Sequence, residues 1–363
     1  MTTIAALARP EVRALKAYVP AQYAEGAVRL NANESAERAV GDDTPQGMNR
    51  YPEARPLALT QTLAKHFGVS EERTFVTRGS SEAIDLLIRC FCRPGIDQIV
   101  ICPPTFGMYS VYANLQGAGV KSIPLLADQQ FALPVEQIVD EWSGTDRLVF
   151  VTSPNNPTGN AQPTSRVSQL AQSLSGRGVV VVDAAYAEFA DEDLVTPLLA
   201  HDNVIVLRTL SKAYGLAGLR CGAALGCPDA IELLSKAMPP YAVPTPSTAV
   251  ALAAMADSAL TGMPDRIAQV RQERERIAEQ LSKLTLVRNI YPSDANFLLV
   301  QFDNAEQVLS RCAAAGLLLR DFTQSPFTPG AIRISIGTPT INDQLIETLC
   351  QIEHSVTLSE VAP

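Results

Sequence analysis

The sequence has 363 residues, of which 47% are hydrophobic and 18% charged, a composition typical of a globular protein with a sizeable core. This length favours one large domain with a smaller companion. With 29 Lys and Arg against 38 Asp and Glu, the net charge of −9 argues against nucleic acid or an anionic membrane as a partner.

The cysteines and the N-terminus indicate the compartment. Seven cysteines form an odd set with no Cys-x-x-Cys pair, and only three histidines accompany them. This argues against a disulfide framework and a structural zinc site, and it indicates reduced thiols. The N-terminus lacks the basic segment of a signal peptide, and no apolar run approaches the roughly 18 residues of a membrane span. The sequence therefore predicts a soluble, cytoplasmic protein without a bound metal.

The first two thirds of the chain alternate between helical and strand patterns. Residues 1–45 have no strong periodicity, and the polar cluster at 31–35 is typical of a loop. Short β-branched runs that are apolar throughout are typical of strands covered by helices on both faces, which favours a parallel α/β sheet. The predicted helices cover residues 57–67 and 80–92, and the predicted strands cover 98–102, 148–152, 178–182 and 204–207.

A proline-rich stretch at residues 239–246 is the best internal boundary. Beyond Pro264, apolar residues at three- and four-residue steps predict a long amphipathic helix. A strand at 296–302, a helix at 305–315 and a strand at 332–336 follow, which reads as a smaller α/β domain. We expect a large domain over residues 46–250, and a small domain formed by residues 1–45, as an N-terminal arm, with residues 251–363.

Polar residues follow three of the predicted strands, where open α/β sheets place their ligands. They are the run 153–159, Asp183 with Tyr186, and the run 209–212 with Arg220 beyond it; a fourth polar run, 78–82, opens a helix. Each run alone also fits a turn or a helix cap. Their occurrence together on consecutive strand ends favours one shared site.

This combination is what a pyridoxal phosphate site requires. Lys212 offers an amine that can bond covalently to the cofactor aldehyde, and Asp183 offers a buried carboxylate that keeps the ring nitrogen protonated. A helix N-terminus with hydroxyls suits the phosphate. The remaining predicted cofactor contacts are Ser80, Ser81 and Glu82 at the helix start, Asn156 and Tyr186 at the ring oxygen, and Thr209, Ser211 and Arg220 near the phosphate. No Gly-x-Gly-x-x-Gly follows a strand, which disfavours a dinucleotide site.

From about residue 30 to residue 338 the chain resembles the class I/II aminotransferases of fold type I, and within them the histidinol-phosphate aminotransferase subfamily. The lysine run 209–220 and the Asn-Pro-x-Gly run 153–159 are typical of the superfamily. The pieces typical of the subfamily are Tyr51-Pro52-Glu53, the run 102–109 and Ser293-Asp294-Ala295-Asn296. The resemblance implies a large domain with a mostly parallel seven-stranded sheet and a smaller α/β domain, as in aspartate aminotransferase.

The resemblance also implies residue roles. Tyr109 would stack on the cofactor ring, and Tyr51 would reach the cofactor phosphate of the neighbouring subunit in a homodimer. Arg333 would bind the anionic end of the substrate, assisted by Arg320. Catalysis would rest on Lys212, Asp183 and Tyr186, and the substrate would also contact Asn33, Tyr51 and Asn156. The family usually continues Asn-Glu-Asn-Pro after Asn31-Ala32, whereas here Asn33-Glu34 is followed by Ser35-Ala36, so the N-terminal substrate loop is expected to differ in shape.

The implied reaction exchanges an amino group between L-histidinol phosphate and 2-oxoglutarate, giving imidazole acetol phosphate and L-glutamate in histidine biosynthesis. Two alternatives share the same site: an aromatic amino-acid aminotransferase and a threonine-phosphate decarboxylase. A third is a regulator with an aminotransferase-like ligand domain, which the acidic composition and the short N-terminal extension disfavour. A fourth is an α/β protein without a cofactor.

Overall fold

The computed structural model describes residues 3–21, 27–45, 47–193 and 195–360. Its larger part is built on a seven-stranded sheet with strand order β1-β7-β6-β5-β4-β2-β3, in which β7 runs antiparallel to both neighbours and the other pairs are parallel. The mostly parallel seven-stranded sheet expected from the sequence is thus confirmed. The strands are β1 Thr74–Thr77, β2 Gln98–Ile101, β3 Gly119–Ser122, β4 Asp146–Thr152, β5 Val179–Asp183, β6 Val204–Thr209 and β7 Gly222–Leu225.

Helices cover both faces of this sheet. Along β5, Val180 and Val182 pack in one apolar cluster while Val179 and Val181 pack in another, because successive strand side chains point to opposite faces. This explains why the central strands are apolar throughout. The helices of this part are α1 Ile4–Leu7, α2 Pro10–Ala14, α3 Leu57–His66, α4 Ser80–Phe91, α5 Met108–Gln116, α6 Val135–Asp140, α7 Thr164–Ser173, α8 Pro228–Ala237 and α9 Thr245–Ala254.

A smaller antiparallel sheet with the order β10-β11-β9-β8 forms the second part. The long helix expected beyond Pro264 is present as α11, which packs Ile277 and Leu281 into the core under this sheet. The elements are α10 Asp257–Leu260, α11 Met263–Leu281, β8 Val287–Tyr291, β9 Phe297–Phe302, α12 Ala305–Ala314, β10 Arg320–Phe322, β11 Ala331–Ser335 and α13 Pro339–Glu360.

The N-terminal helices lie on the larger part. Ile4, Ala8 and Val12 are buried in the apolar cluster that also holds Phe75 and Leu234 of the seven-stranded part. The residue limits of the two domains stay a prediction. Within the described residues, no helix is both long enough and apolar enough to cross a membrane.

Candidate active site

A cavity of about 750 Å³ lies at the carboxyl ends of β4, β5 and β6, where it is closed on one side by β10 and β11. Both sheets therefore contribute side chains to it. Most of the predicted site residues line this cavity: Ser80, Ser81, Asn156, Asp183, Tyr186, Thr209, Ser211, Lys212, Arg220, Arg320 and Arg333.

Asp183 ends β5 and is almost completely buried. Its Oδ2 accepts a hydrogen bond of 2.9 Å from the hydroxyl of Tyr109, which lies 2.7 Å from Thr152 Oγ1. Its Oδ1 has no hydrogen-bond partner among the described residues. Burial raises the pKa of Asp183 to about 6, against the lowering effects of the Tyr109 hydrogen bond and of the positive charge on Lys212. The carboxylate can therefore accept one more donor, preferably a cationic one.

Lys212 lies in the segment after β6, and its side chain is exposed at the cavity. The ammonium nitrogen is 5.5 Å from the centre of the Tyr186 ring. Partial desolvation at the cavity wall lowers the pKa of Lys212, and the positive charges of Arg333 and Arg220 add to this effect, whereas the charge of Asp183 opposes it. A larger fraction of this amine is consequently neutral, and thus nucleophilic, than for a lysine in water.

The start of α4 forms a cradle for an anion. Gly79 has φ +80°, and a Cβ there would lie 2.9 Å from the Nη2 atom of Arg220, so the guanidinium rests against the glycine. Ser80 and Ser81 open the helix, where free N–H groups and the helix dipole attract negative charge.

Two hydroxyls from the lysine segment extend this cradle. Thr209 Oγ1 donates to Ser211 Oγ over 2.9 Å, and Arg220 Nη1 lies 3.4 Å from the same Ser211 oxygen. Arg220 itself adopts φ +55°, which is uncommon for a side chain with a Cβ. This left-handed backbone conformation occurs at the residue whose guanidinium contacts both Ser211 and the start of α4.

Two arginines from the smaller sheet face the cavity. Arg320 on β10 and Arg333 on β11 are directly opposite each other in the antiparallel register. Arg333 donates to the side-chain oxygen of Asn156, and its guanidinium lies 5.2 Å from the centre of the Phe297 ring and 5.6 Å from that of Phe322. Burial and the charge of Arg320 lower the pKa of Arg333. Like charges on facing residues repel each other, so the pair is suited to an anion between them.

Tyr186 follows β5 and packs its ring edge-on against Phe297 of the smaller sheet, with 5.2 Å between centroids. Burial raises the pKa of its hydroxyl to about 12, although the charge of Arg333 opposes the shift. The hydroxyl is therefore a neutral hydrogen-bond donor at physiological pH.

Tyr109 lies behind the cavity wall. Its ring is fully buried and stacks on Phe150 with 4.6 Å between centroids. Its stacking on a cofactor ring stays a prediction. Phe106, which contacts the edge of the Tyr109 ring, lines the cavity together with Tyr186 and Phe322. The Tyr109 hydroxyl donates to the Asp183 carboxylate and so orients it.

Three other predicted residues lie outside the cavity. Glu82 is paired with Arg78 on the first turn of α4. Tyr51 is 52% exposed and stacks on Tyr241, and Asn33 lies beside it with φ +57°. The single chain therefore does not bring Tyr51 and Asn33 to Lys212.

Glu34 organises the loop that carries Tyr51. Its carboxylate pairs with Arg29 over 2.6 Å and Arg50 over 3.0 Å, and it accepts a 2.7 Å hydrogen bond from the Tyr51 N–H. Burial opposes ionisation of Glu34, but these partners outweigh it and lower the pKa. Tyr51 is thus held in place at an exposed surface.

Several cavity residues had no clear signal in the sequence. Phe322 follows Arg320 on a three-residue strand too short to show a period, and Thr152 reads simply as the last residue of a buried strand. Four further cavity residues lie in the run 102–109, which matches the subfamily, but no site role was predicted for them. The cavity residues without a predicted role are Thr105, Phe106, Gly107, Met108, Val111, Thr152, Ala185 and Phe322.

Comparison with known proteins shows extensive similarity. The family model of aminotransferase class I and II matches residues 24–351. Histidinol-phosphate aminotransferase of Xylella fastidiosa (strain 9a5c) is 41% identical over 356 residues, which are 97% of this chain and 97% of that protein. The protein of the same name from Salmonella choleraesuis (strain SC-B67) is 39% identical over 350 residues, 96% of this chain and 97% of that one.

Among solved structures, histidinol-phosphate aminotransferase from Sinorhizobium meliloti in complex with pyridoxal-5'-phosphate has a TM-score of 0.76 and 26% identity. The match covers 85% of this chain and 84% of that chain. The similarity in sequence and in fold thus extends over both sheets.

Proposed function

Because the chain belongs to the class I and II aminotransferases, we propose that it transfers the amino group of L-histidinol phosphate to 2-oxoglutarate with pyridoxal phosphate as cofactor. The identity of about 40% to histidinol-phosphate aminotransferases over nearly the whole chain supports this reaction. The structural observation that carries it is a single cavity in which Lys212 and Asp183 lie together with a facing pair of arginines.

The residues present fit the cofactor. The unpartnered Oδ1 of Asp183 can accept a hydrogen bond from a protonated pyridine nitrogen, which would favour the ionised carboxylate. The cradle at Gly79 and Ser80, with the Arg220 guanidinium, suits a phosphate dianion. When bound, pyridoxal phosphate supplies an electron sink for the negative charge that develops at the substrate carbon.

Lys212 is the group that we propose to hold the cofactor and to move the proton. Its lowered pKa increases the unprotonated fraction of the amine, the form that acts as a base in proton transfer. Tyr186 and the amide N–H groups of Asn156 are the donors proposed for the ring oxygen. Asp183 would hold the ring nitrogen, and Tyr109 donates a hydrogen bond to Asp183.

The substrate phosphate is proposed to lie between Arg320 and Arg333. A guanidinium binds phosphate or carboxylate through paired hydrogen bonds, so both histidinol phosphate and 2-oxoglutarate can use this pair. Two facing arginines favour a dianion over a monoanion, because the anion removes their mutual repulsion.

We further propose that the enzyme is a homodimer in the cytoplasm. Tyr51 and Asn33 are exposed on one chain, and a symmetric interface would allow each subunit to contribute them to the other's cavity. All seven cysteines are free thiols, which suits a reducing compartment. We also propose the two-domain division, with a large domain over residues 46–250 and a small domain formed by residues 1–45 and 251–363.

The test is a substrate comparison. We expect purified enzyme to use histidinol phosphate far better than histidinol, because the phosphate supplies most of the charged contacts. Arg333→Lys should lower kcat/KM for histidinol phosphate by about 10–100-fold, since each charge-assisted hydrogen bond is worth roughly 1.5–3 kcal/mol. The matched control is Arg288→Lys on the surface, where the arginine pairs only with Asp303 among the described residues and both side chains are more than half exposed.

Equal rates with histidinol and its phosphate would overturn the substrate assignment. Faster turnover of phenylalanine, or decarboxylation of phosphothreonine, would favour the alternative enzymes. Cofactor absorbance in each half-reaction reports the transaminations, and release of carbon dioxide reports the decarboxylation.

A further inference from the structure

Behind the lysine segment lies a group of polar side chains that does not line the cavity. It consists of Glu188, Arg208 and Tyr214, with His66 at its outer edge, and is called here the anchor cluster. The three inner side chains are nearly buried, with both members of the ion pair 8% exposed and Tyr214 also at 8%.

The contacts within the anchor cluster are short. Arg208 Nη2 donates to Glu188 Oε1 over 2.5 Å, and the Arg208 guanidinium lies 4.9 Å from the centre of the Phe67 ring. The Tyr214 hydroxyl is 2.6 Å from Nε2 of His66, the last residue of α3. The cluster thus connects the end of α3 with two segments that follow neighbouring strands.

These two segments are the ones that carry the chemistry. Glu188 is two residues after Tyr186, and Tyr214 is two residues after Lys212. Arg208 is the residue before Thr209. Because Arg208 lies on β6, the Glu188–Arg208 pair joins the segment of the ring-oxygen donor to the strand that leads into the lysine segment. Tyr214 joins the lysine segment to α3.

The electrostatics suit a fixed contact between neutral groups at Tyr214. Burial, together with the negative charge of Glu188, raises the pKa of Tyr214 well above its usual range. Burial and the nearby positive charge of Arg208 lower the pKa of His66. Hydroxyl and imidazole are consequently both neutral near pH 7, so the hydrogen bond persists without a change of charge. A buried ion pair such as Glu188–Arg208 contributes little net stability, because burial of its charges costs about as much as their attraction gains. Stability alone therefore does not explain why this pair is present.

We propose that Glu188, Arg208, Tyr214 and His66 are positioning residues that fix Lys212 relative to Tyr186. This rests on the proposed transamination, in which both residues act on the same cofactor. Displacement of a reacting group by about 1 Å can lower a rate on the order of 100-fold without any change in the substrate-binding groups. The anchor cluster contacts neither substrate nor cofactor in this assignment; it acts through the backbone of the two segments.

Tyr214→Phe tests the proposal, because it removes the hydroxyl and keeps the ring. We expect kcat to fall about 10–100-fold with KM for histidinol phosphate nearly unchanged. In the apoenzyme, backbone hydrogen exchange over residues 209–216 should speed up, and in the holoenzyme the pH midpoint of cofactor absorbance should shift. Tyr291→Phe is the matched control: its ring packs on Phe131 away from the cavity, and we expect no change in these measurements.

A second pair of variants keeps the test independent of folding defects. His66→Gln retains a hydrogen-bonding group for Tyr214 and should keep most of kcat, whereas His66→Leu should resemble Tyr214→Phe. A lower melting temperature for Tyr214→Phe with unchanged hydrogen exchange, absorbance midpoint and kcat would overturn the positioning role. Since exchange and absorbance need no histidinol phosphate, a wrong substrate assignment leaves them unaffected and is recognised separately.

Discussion

Asp183 illustrates how one buried side chain can be prepared for a cation. One oxygen is bound by Tyr109, the other has no hydrogen-bond partner among the described residues, and burial makes the negative charge costly. The pKa of about 6, against an ordinary value of 3.8, measures this cost. A protonated pyridine nitrogen beside Oδ1 would offset it. The ionised carboxylate thus lowers the stability of the protein without cofactor, and a bound cationic ring would recover this free energy.

Asp183→Asn should therefore stabilise the apoenzyme while it impairs the holoenzyme. The native protein holds more protons than the unfolded chain between about pH 4 and pH 6, so this carboxyl lowers stability as pH rises through that window. At pH 7.5 we expect apo Asp183→Asn to unfold with a free energy higher by on the order of 2–3 kcal/mol. The gain should vanish toward pH 4, and turnover should fall by orders of magnitude. Urea unfolding at several pH values measures the first effect.

Asp97 provides the control of opposite sign. Burial disfavours its charge, but Arg93 and Arg147 hold its carboxylate and lower its pKa. Its contribution to stability is present above the ordinary pKa and lost as pH falls, so Asp97→Asn should destabilise the apoenzyme at pH 7.5 and leave the chemical step intact. A destabilised Asp183→Asn apoenzyme would contradict the assignment of Asp183 as an unsatisfied carboxylate.

At the scale of single residues, the sequence predicted positions better than contacts. Asp183 and Lys212 follow strand ends, and the topology of a parallel sheet brings such residues together. Tyr109 lies next to the site, where its hydroxyl reaches Asp183, and its contact with a cofactor ring stays a prediction. The direction of a side chain at the start of α5 depends on packing against Phe150, which is distant in the sequence. The assigned roles stay predictions.

Among the elements, predicted strands were confirmed where apolar β-branched runs are buried on both faces. Residues 148–152 and 204–207 lie within β4 and β6. By contrast, β7 was not predicted, since Gly-Ala-Ala-Leu has little β propensity and is a strand only because β1 and β6 pair with it. The edge strand β3 is largely exposed and also lacked a signal. Tertiary pairing decides such strands.

At the start of α4, the phosphate cradle depends on a glycine. Gly79→Ala places a Cβ in a backbone of φ +80° and 2.9 Å from Arg220 Nη2. The guanidinium must move from the phosphate cradle, which we expect to weaken pyridoxal phosphate binding about 10–100-fold, since charge-assisted hydrogen bonds are worth roughly 1.5–3 kcal/mol. Fluorescence titration of the apoenzyme with cofactor measures the dissociation constant.

Gly68→Ala separates backbone strain from the loss of the cradle. Gly68 has φ +67° with no atom within 4 Å of an added Cβ, and it follows α3 away from the cavity. This variant should lose about 1–2 kcal/mol of unfolding free energy and keep its cofactor affinity. If both substitutions lowered stability equally and neither changed cofactor binding, the cradle assignment would be wrong.

At the scale of the whole molecule, the cavity depends on how the two sheets meet. The turn between β8 and β9 binds the loop after β4: Asp294 N–H donates to Gly159 O over 2.8 Å, and the Asp294 carboxylate accepts from Ala161 N–H over 2.7 Å. Arg333 reaches Asn156 across the same junction. No local pattern in the sequence specifies this contact between distant segments. The family resemblance, rather than periodicity, is what assigned Arg333 to the site.

Subunit exchange tests whether the complete site needs two chains. One chain carries Lys212→Ala, which removes the amine. The other chain carries Tyr51→Ala, which removes an exposed ring that lies outside the cavity of its own chain. If each cavity combines Lys212 of one subunit with Tyr51 of its partner, a mixed dimer has one intact and one doubly altered site. Random exchange makes half of the dimers mixed, so activity should recover to about a quarter of the wild-type value.

Mixing either variant with itself is the control, and native mass spectrometry of differently tagged chains measures mixed dimers. Mixed dimers that form without recovery would show that Tyr51 does not act across an interface.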